Sequence, residues 1–261
     1  GEVARIAADQ LDPVRQRLQI GAELIGSDSV AAATEVVLTA IEALDAVGLG
    51  PLSVDFTLPD LVTTLAKSTF PLSPDQAEKV RRELDTKDAG GLKAIGGEAF
   101  LPLIHAAGPF PDALEKLRAV DAGGALATRI EGLEQIAAAI GDRARITLDP
   151  TERHGFEYQS WFGFTLYAAN VRGALGRGGT YLIRGTDEPA TGFSIYLGQA
   201  LPRLDPAAPR DMLYLPLAHD RDAAARLRAE GWRTLRALSE DEDPRALGCT
   251  HRLEDGAPTA L

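Results

Sequence analysis

Cysteine is almost missing from this chain: Cys249 stands alone among 261 residues, which excludes an internal disulfide framework and a cysteine-based zinc site. No apolar run approaches the length needed to cross a bilayer, and no segment has the pattern of a signal peptide. A cytoplasmic location is the resulting expectation. Clustered positive charge is absent too. The chain carries 38 acidic and 27 basic residues for a net charge of −11, and its arginines lie among acids, as in RRELDTKD (81–88). A grip on a nucleic-acid backbone needs grouped Lys and Arg to displace counterions, so nucleic-acid binding is not expected. The first residue is Gly1 rather than methionine, which reads as a processed, tagged or incomplete N-terminus.

What is present is an ordinary globular composition, 45% hydrophobic and 25% charged, able to bury a core. In VARIAADQL (3–11), Val3, Ile6, Ala7 and Leu11 share one face of an expected helix. A longer helix is predicted over about 29–47, with Asp28 as N-cap and Gly48 just past its end. LSVDFTL alternates Leu52, Val54, Phe56 and Leu58, the signature of a half-buried strand. From Asp60 to Gly141 the pattern is helical and broken by Gly and Pro, with a capping box at Ser73-Pro74-Asp75-Gln76.

The chain then turns β-rich. RITLDP (145–150) and FEYQSWFGFTLYAA (156–169) read as strands, the second placing Phe156, Tyr158, Ser160, Phe162, Phe164 and Leu166 on one face. Trp161 and its aromatic neighbours read as sheet core rather than as a stacking platform. GTYLIRG is a further short strand, and GFSIYLGQAL is a strand running into a helix. After the Pro- and Ala-rich PRLDPAAPRD (202–211), the segments DMLYLPLA, DRDAAARLRAEGW and RTLRAL read as strand, helix and strand. The expected class is α+β: an antiparallel sheet, a helical insertion and a small α/β tail.

Generic motifs name no chemistry. The stretch GRGGTYLIRGTDEPATGF (176–193) lacks the lysine of a phosphate-binding P-loop. Gly176, Gly178 and Gly179 approach a dinucleotide fingerprint, but β-rich sequence follows where a helix is required, so a glycine-rich hairpin fits better. His105, His154, His219 and His251 show no metal-ligand spacing, and no Gly-x-Ser-x-Gly elbow occurs. No cofactor and no metal are expected.

Three stretches in order resemble the core of histidyl-tRNA synthetase, a class II aminoacyl-tRNA synthetase. RLQIGAELIGSD (17–28) is similar to that family's Gln-x-Gly-x-Glu segment, which precedes a helix. GFEYQSWFGFTLYA (155–168) is similar to its Arg-Gly-Leu-Asp-Tyr-Tyr strand, and 176–201 to its Gly-Gly-Arg-Tyr-Asp segment followed by motif 3. The resemblance implies a synthetase-like core domain at 1–201, a helical insertion at about 60–141, and an α/β extension at 202–261. Charged residues are missing where activation would need them. The arginine positions hold His154, Thr180 and Gln199, the aspartate of Gly-Gly-Arg-Tyr-Asp is Leu182, and the motif 3 glutamate is Gly198. Adenylate formation needs positive charge on the reacting phosphorus and leaving pyrophosphate, so a working synthetase is not expected.

A synthetase-like core without activation residues or an anticodon-binding domain resembles the regulatory subunit of ATP phosphoribosyltransferase; LGCTHRLEDG (247–256) also resembles that group. The implied role is non-catalytic: to complete and activate a short-form catalytic subunit in the first step of histidine biosynthesis, to help it respond to histidine, and to self-associate at least as a homodimer. Two other functions stay open, a divergent amino-acid adenylate-forming enzyme and a free-standing histidine sensor. By resemblance the histidine-binding residues are Gln19, Glu23, Tyr158, Gly178, Gly179 and Tyr181. Against retention of the pocket, Gln159 replaces the second tyrosine of the Tyr-Tyr pair; in the competing reading Gln19 and Glu23 only begin a helix and Tyr158 packs the sheet. The family also has a motif 2 strand before Gln-x-Gly-x-Glu, whereas here Leu11 runs straight into Asp12-Pro13. Residues of a longer natural protein are therefore expected to be missing before Gly1 and between Leu11 and Asp12.

Overall fold

Alternating period-two and period-3.6 segments sort into one large sheet, the helices beneath it, and a second small sheet. A computed structural model describes residues 1–4, 16–121, 123–153, 159–169, 171–199, 201 and 211–261, with the side chain of Gln199 outside that description. Contacts divide the chain into two units, Gly1–Leu204 and Asp205–Leu261.

In the first unit, β1 (Glu2–Ala4) and β2 (Gln16–Ile25) lead into α1 (Val30–Ala46) and β3 (Leu52–Thr57). The helical block follows as α2 (Leu61–Ala66), α3 (Pro74–Asp85), α4 (Ala89–Ala94), α5 (Leu101–Ile104), the two-residue strand β4 (Gly108–Pro109), α6 (Phe110–Val120) and α7 (Ala127–Ile140). The strands β5 (Arg145–Leu148), β6 (Gln159–Ala168), β7 (Gly176–Leu182) and β8 (Pro189–Tyr196) complete it. Their order is β1-β2-β8-β7-β6-β3-β5-β4. The sheet is not wholly antiparallel: β3 and β5 run parallel, because the helical block between them acts as a crossover.

The helix α1 begins one residue later than expected. Ser29, not Asp28, is the N-cap and accepts from the Ala32 amide, while the Asp28 carbonyl accepts 2.7 Å from the Trp161 indole. Ala33, Val36, Val37, Ala40, Ile41 and Leu44 form its buried stripe, at helical spacing. It packs beside α7 and beneath β2, β7 and β8. The predicted capping box at Ser73 is present, with Gln76 bonded back to the Ser73 amide. Phe56, Phe162 and Phe164 form the aromatic centre of the core, with ring centroids 5.3 Å and 5.8 Å apart along the series.

Four further expectations change. The helix expected over 3–11 is a strand where it is described, since Val3 pairs with Arg17 and satisfies part of the β2 edge; the remainder, with the Leu11–Asp12 junction, lies outside the described residues. The Gln-x-Gly-x-Glu segment begins no helix. It is strand β2 as far as Ile25, because Arg17, Gln19 and Glu23 alternate with Leu18, Ile20 and Leu24. Gly176, Gly178 and Gly179 lie inside β7 rather than in a hairpin turn. The strand β8 passes into a single 3-10 turn, Leu197–Gln199.

In the second unit β9 (Met212–Leu215), α8 (Arg221–Ala229) and β10 (Arg233–Arg236) give the expected strand–helix–strand, and β11 (His251–Glu254) with β12 (Ala257–Ala260) extends it. The order is β10-β9-β11-β12, with β9 parallel to both neighbours. Leu213, Leu215, Ala224, Leu227 and Leu253 make its core. Among the described residues no helix is long and apolar enough to cross a membrane.

Candidate functional site

The large sheet has two chemically different faces. Directly opposed residues of paired strands point to the same side, so the register defines each face row by row. One row runs Ala22, Phe193, Gly178, Phe164, Phe56 and Leu148; it belongs to the apolar face above the helices. On the other face the rows are polar. One reads Glu23, Gly192, Gly179, Gly163 and Thr57, and the next reads Gly21, Ser194, Arg177, Thr165, Asp55 and Thr147.

Three successive glycines in one row leave a trough across β8, β7 and β6, because no Cβ fills it. A Cβ on Gly192 would run into the Glu23 carboxylate. One on Gly163 would come within 2.6 Å of Gln159 Oε1, and one on Gly179 within 2.6 Å of Gln159 Nε2. The Gln159 carboxamide thus lies over the trough floor, with Nε2 donating to the Gly178 carbonyl at 2.8 Å. A bulge in β6 between Gln159 and Gly163 carries it there.

Glu23 and Tyr181 meet across the trough: the phenol donates to the carboxylate at 2.8 Å. Gln19, on the same face of β2, donates to Ser194 Oγ at 3.4 Å. An open groove of about 490 Å³ borders Gln19, Gly21, Glu23 and Ser194. Gln19, Glu23, Gly179 and Tyr181 are therefore brought together. Gly178 is not part of their surface, since its missing Cβ would meet Phe164 on the core side at 2.5 Å. Tyr158 and His154 lie outside the described residues, as does the side chain of Gln199.

The departures from the synthetase pattern have structural causes. Thr180 is fully buried on the apolar side, where it receives the Phe162 amide at 3.1 Å and the Ser160 hydroxyl at 2.9 Å. It ties the bulge in place and faces away from the trough. Leu182 is half exposed and Gly198 lies in the turn after β8. A carboxylate, two amide side chains and a phenol suit an ammonium-bearing small molecule; these four groups offer no positive charge for a reacting phosphate.

A second polar group went unnoticed in the sequence. Thr147 Oγ1 donates to Asp55 at 2.5 Å, and Lys87 Nζ binds Asp149 at 2.6 Å. Burial, and then the neighbouring Asp149 and Asp55 charges, push the Glu152 carboxyl up to about 7. Burial also raises Asp55 above the usual carboxylate range. The parity of β3 and β5 could have placed Asp55 beside Thr147; the approach of Glu152 depends on a loop. Among the described residues no three His, Cys, Asp or Glu side chains converge as a metal site.

Comparison with known proteins agrees with this sheet. The sequence model of histidyl-tRNA synthetase matches residues 1–200. The ATP phosphoribosyltransferase regulatory subunit of Rhodospirillum centenum is 38% identical over 261 aligned residues, covering 96% of this chain and 67% of that one. The chain belongs to the ATP phosphoribosyltransferase regulatory subunits. The regulatory subunit of Paramagnetospirillum magneticum is likewise 38% identical, across 97% of this chain and 69% of its own length. Among solved structures, an ATP phosphoribosyltransferase regulatory subunit/histidyl-tRNA synthetase from Bacillus halodurans has the same fold. Its TM-score is 0.73 at 22% identity, over 95% of this chain and 69% of that one. An ATP phosphoribosyl transferase complex from Thermotoga maritima includes a chain that matches with a TM-score of 0.59 at 21% identity, over 75% and 70% of the two chains. The fold of this regulatory subunit is thus the class II synthetase fold, with helices under one face of a mixed sheet.

Proposed function

We propose that this chain is the non-catalytic regulatory subunit that joins a short-form ATP phosphoribosyltransferase catalytic subunit in the first step of histidine biosynthesis. The observation that carries the reading is the 38% identity to named regulatory subunits across nearly the whole chain. The polar face supports it: Thr180 points away from the trough and Leu182 is uncharged, so two positions that the synthetase pattern charges are neutral here. Self-association as a homodimer or larger and a cytoplasmic location complete the proposal. Size-exclusion chromatography of the chain mixed with the catalytic subunit tests it; a single co-eluting peak is expected. Amino-acid-dependent exchange of pyrophosphate into ATP by the chain alone would instead favour an adenylate-forming enzyme.

A second reading concerns the trough, and the Glu23–Tyr181 hydrogen bond across its glycine row favours it. Histidine would place its ammonium against Glu23 and Gln19, with Tyr181 positioning the carboxylate of Glu23. Histidine feedback then requires the amino acid to bind one state of the complex more tightly than another. Titration calorimetry with L-histidine tests this separately, and the absence of heat at millimolar ligand would remove it without touching the partnership.

A further inference from the structure

An amino acid needs a cationic partner as well as an anionic one, because its ammonium and carboxylate hang from the same carbon. The arginine positions of the synthetase pattern do not provide a described partner here: Thr180 faces the core, and the His154 and Gln199 side chains lie outside the described residues. The three strands that carry the glycine row, β6, β7 and β8, contain one basic residue, Arg177. It stands on the trough face, directly opposite Ser194 of β8 and Thr165 of β6. Two residues further along β7 comes Gly179, about 7 Å away at the usual rise of a strand. The positions diagonal to Arg177 on that face are Gly192 and Gly163 on the trough side and Tyr196 and Tyr167 on the other, so no Cβ at the two trough-side positions separates Arg177 from the trough, while its charge also reaches the Tyr167 phenol. The Glu23 carboxylate overhangs Gly192 from the adjoining strand. The opposite charges thus border the same glycine floor, one row apart, with the Gln159 carboxamide lying over it.

We propose that Arg177 receives the carboxylate of an α-amino acid whose ammonium lies at Glu23 and Gln19. This rests on the amino-acid reading of the trough. A guanidinium matches a carboxylate with two parallel N–H donors, which a lysine cannot reproduce. Arg17, at the start of β2, holds its guanidinium 4.9 Å from the Tyr196 ring centroid and serves as the control.

The test is calorimetric titration of the full chain with L-histidine and with histamine, which keeps the imidazole and ammonium but has no carboxylate. The wild type is expected to bind histidine more tightly than histamine. Arg177→Gln is expected to weaken histidine by about 10- to 100-fold while leaving histamine unchanged. Arg177→Lys should recover part of the loss, and Arg17→Gln should leave the ratio of the two ligands unaltered. Far-UV circular dichroism and the melting temperature verify that each variant is folded. Arg177→Gln weakening both ligands equally, or neither, overturns the assignment while leaving the pocket standing. A wild type that binds neither ligand overturns the pocket and this assignment together.

Discussion

The two-faced sheet makes a sharp prediction about one substitution placed on either side of it. In Gly178→Ala the new methyl lies 2.5 Å from Phe164 Cζ and 2.5 Å from the Gly192 carbonyl oxygen. Carbon atoms in ordinary contact sit about 3.5–4.0 Å apart, so the ring must retreat by about 1 Å. Phe164 is buried and stacked on Phe162, and the opposing oxygen is backbone, so neither yields easily. Overpacking of this kind costs about 1–3 kcal/mol, and the melting temperature of a unit this size falls by about 2–4 °C per kcal/mol.

Gly192→Ala puts the same methyl on the opposite face of the neighbouring strand, where the three nearest atoms all belong to the Glu23 carboxylate. Glu23 is exposed and can swing away, giving up its hydrogen bond with Tyr181, a loss of about 1 kcal/mol. The lower entropy of an unfolded alanine offsets about 0.4–1 kcal/mol of that. Gly192→Ala is therefore expected to melt within about 3 °C of the wild type. Thermal unfolding followed by Trp161 fluorescence in a Trp232→Phe background reads the first unit alone. Should Gly192→Ala prove as destabilising as Gly178→Ala, the assignment of the two faces is wrong.

Three further outcomes are expected. Tyr181→Phe removes the donor to Glu23 and should weaken histidine binding several-fold by calorimetry, while stability in urea changes by less than about 1 kcal/mol. Ser73→Ala removes the α3 capping box and should cost about 1 kcal/mol in the same denaturation assay without altering ligand binding. Glu152 holds its proton more tightly in the folded chain, at about 7, than at its ordinary value of 4.5. The native state therefore binds more protons than the unfolded one in that interval, and stability contributed by this group falls as pH rises through it. Glu152→Gln should flatten the dependence of the urea midpoint on pH between those values; an unchanged slope would place the titration elsewhere.

Local patterns carried most of the helices and the buried strands. The stripe of α1, the alternation of β3 and the capping box at Ser73 are each written within a few residues, and each is found where its pattern stands. Boundaries set from a distance were less legible: the N-cap of α1 shifts to Ser29 while Trp161, far along the chain, takes the Asp28 carbonyl. Other features were readable but outweighed. Arg17, Gln19 and Glu23 alternate with apolar residues, yet the motif before a helix drew attention from the strand they form. Asp255 and Gly256, both with positive φ, are the Asp-Gly turn that joins β11 to β12.

The site itself needed the register. A row of Gly192, Gly179 and Gly163 exists only once β8, β7 and β6 are aligned, and the bulge that carries Gln159 over it shifts that alignment. Parity along β7 separates Gly178 from Gly179 and Tyr181, which the motif alone had grouped as one pocket. Half of that short segment packs the core and half faces the trough.

The central claim is that this chain acts through a catalytic partner. The direct measurement is the rate of phosphoribosyl-ATP formation by a short-form catalytic subunit as this chain is added at increasing concentration. A saturable rise in rate, with no turnover by the chain alone, is the predicted result. A flat titration with a folded chain and no complex on a sizing column would contradict it.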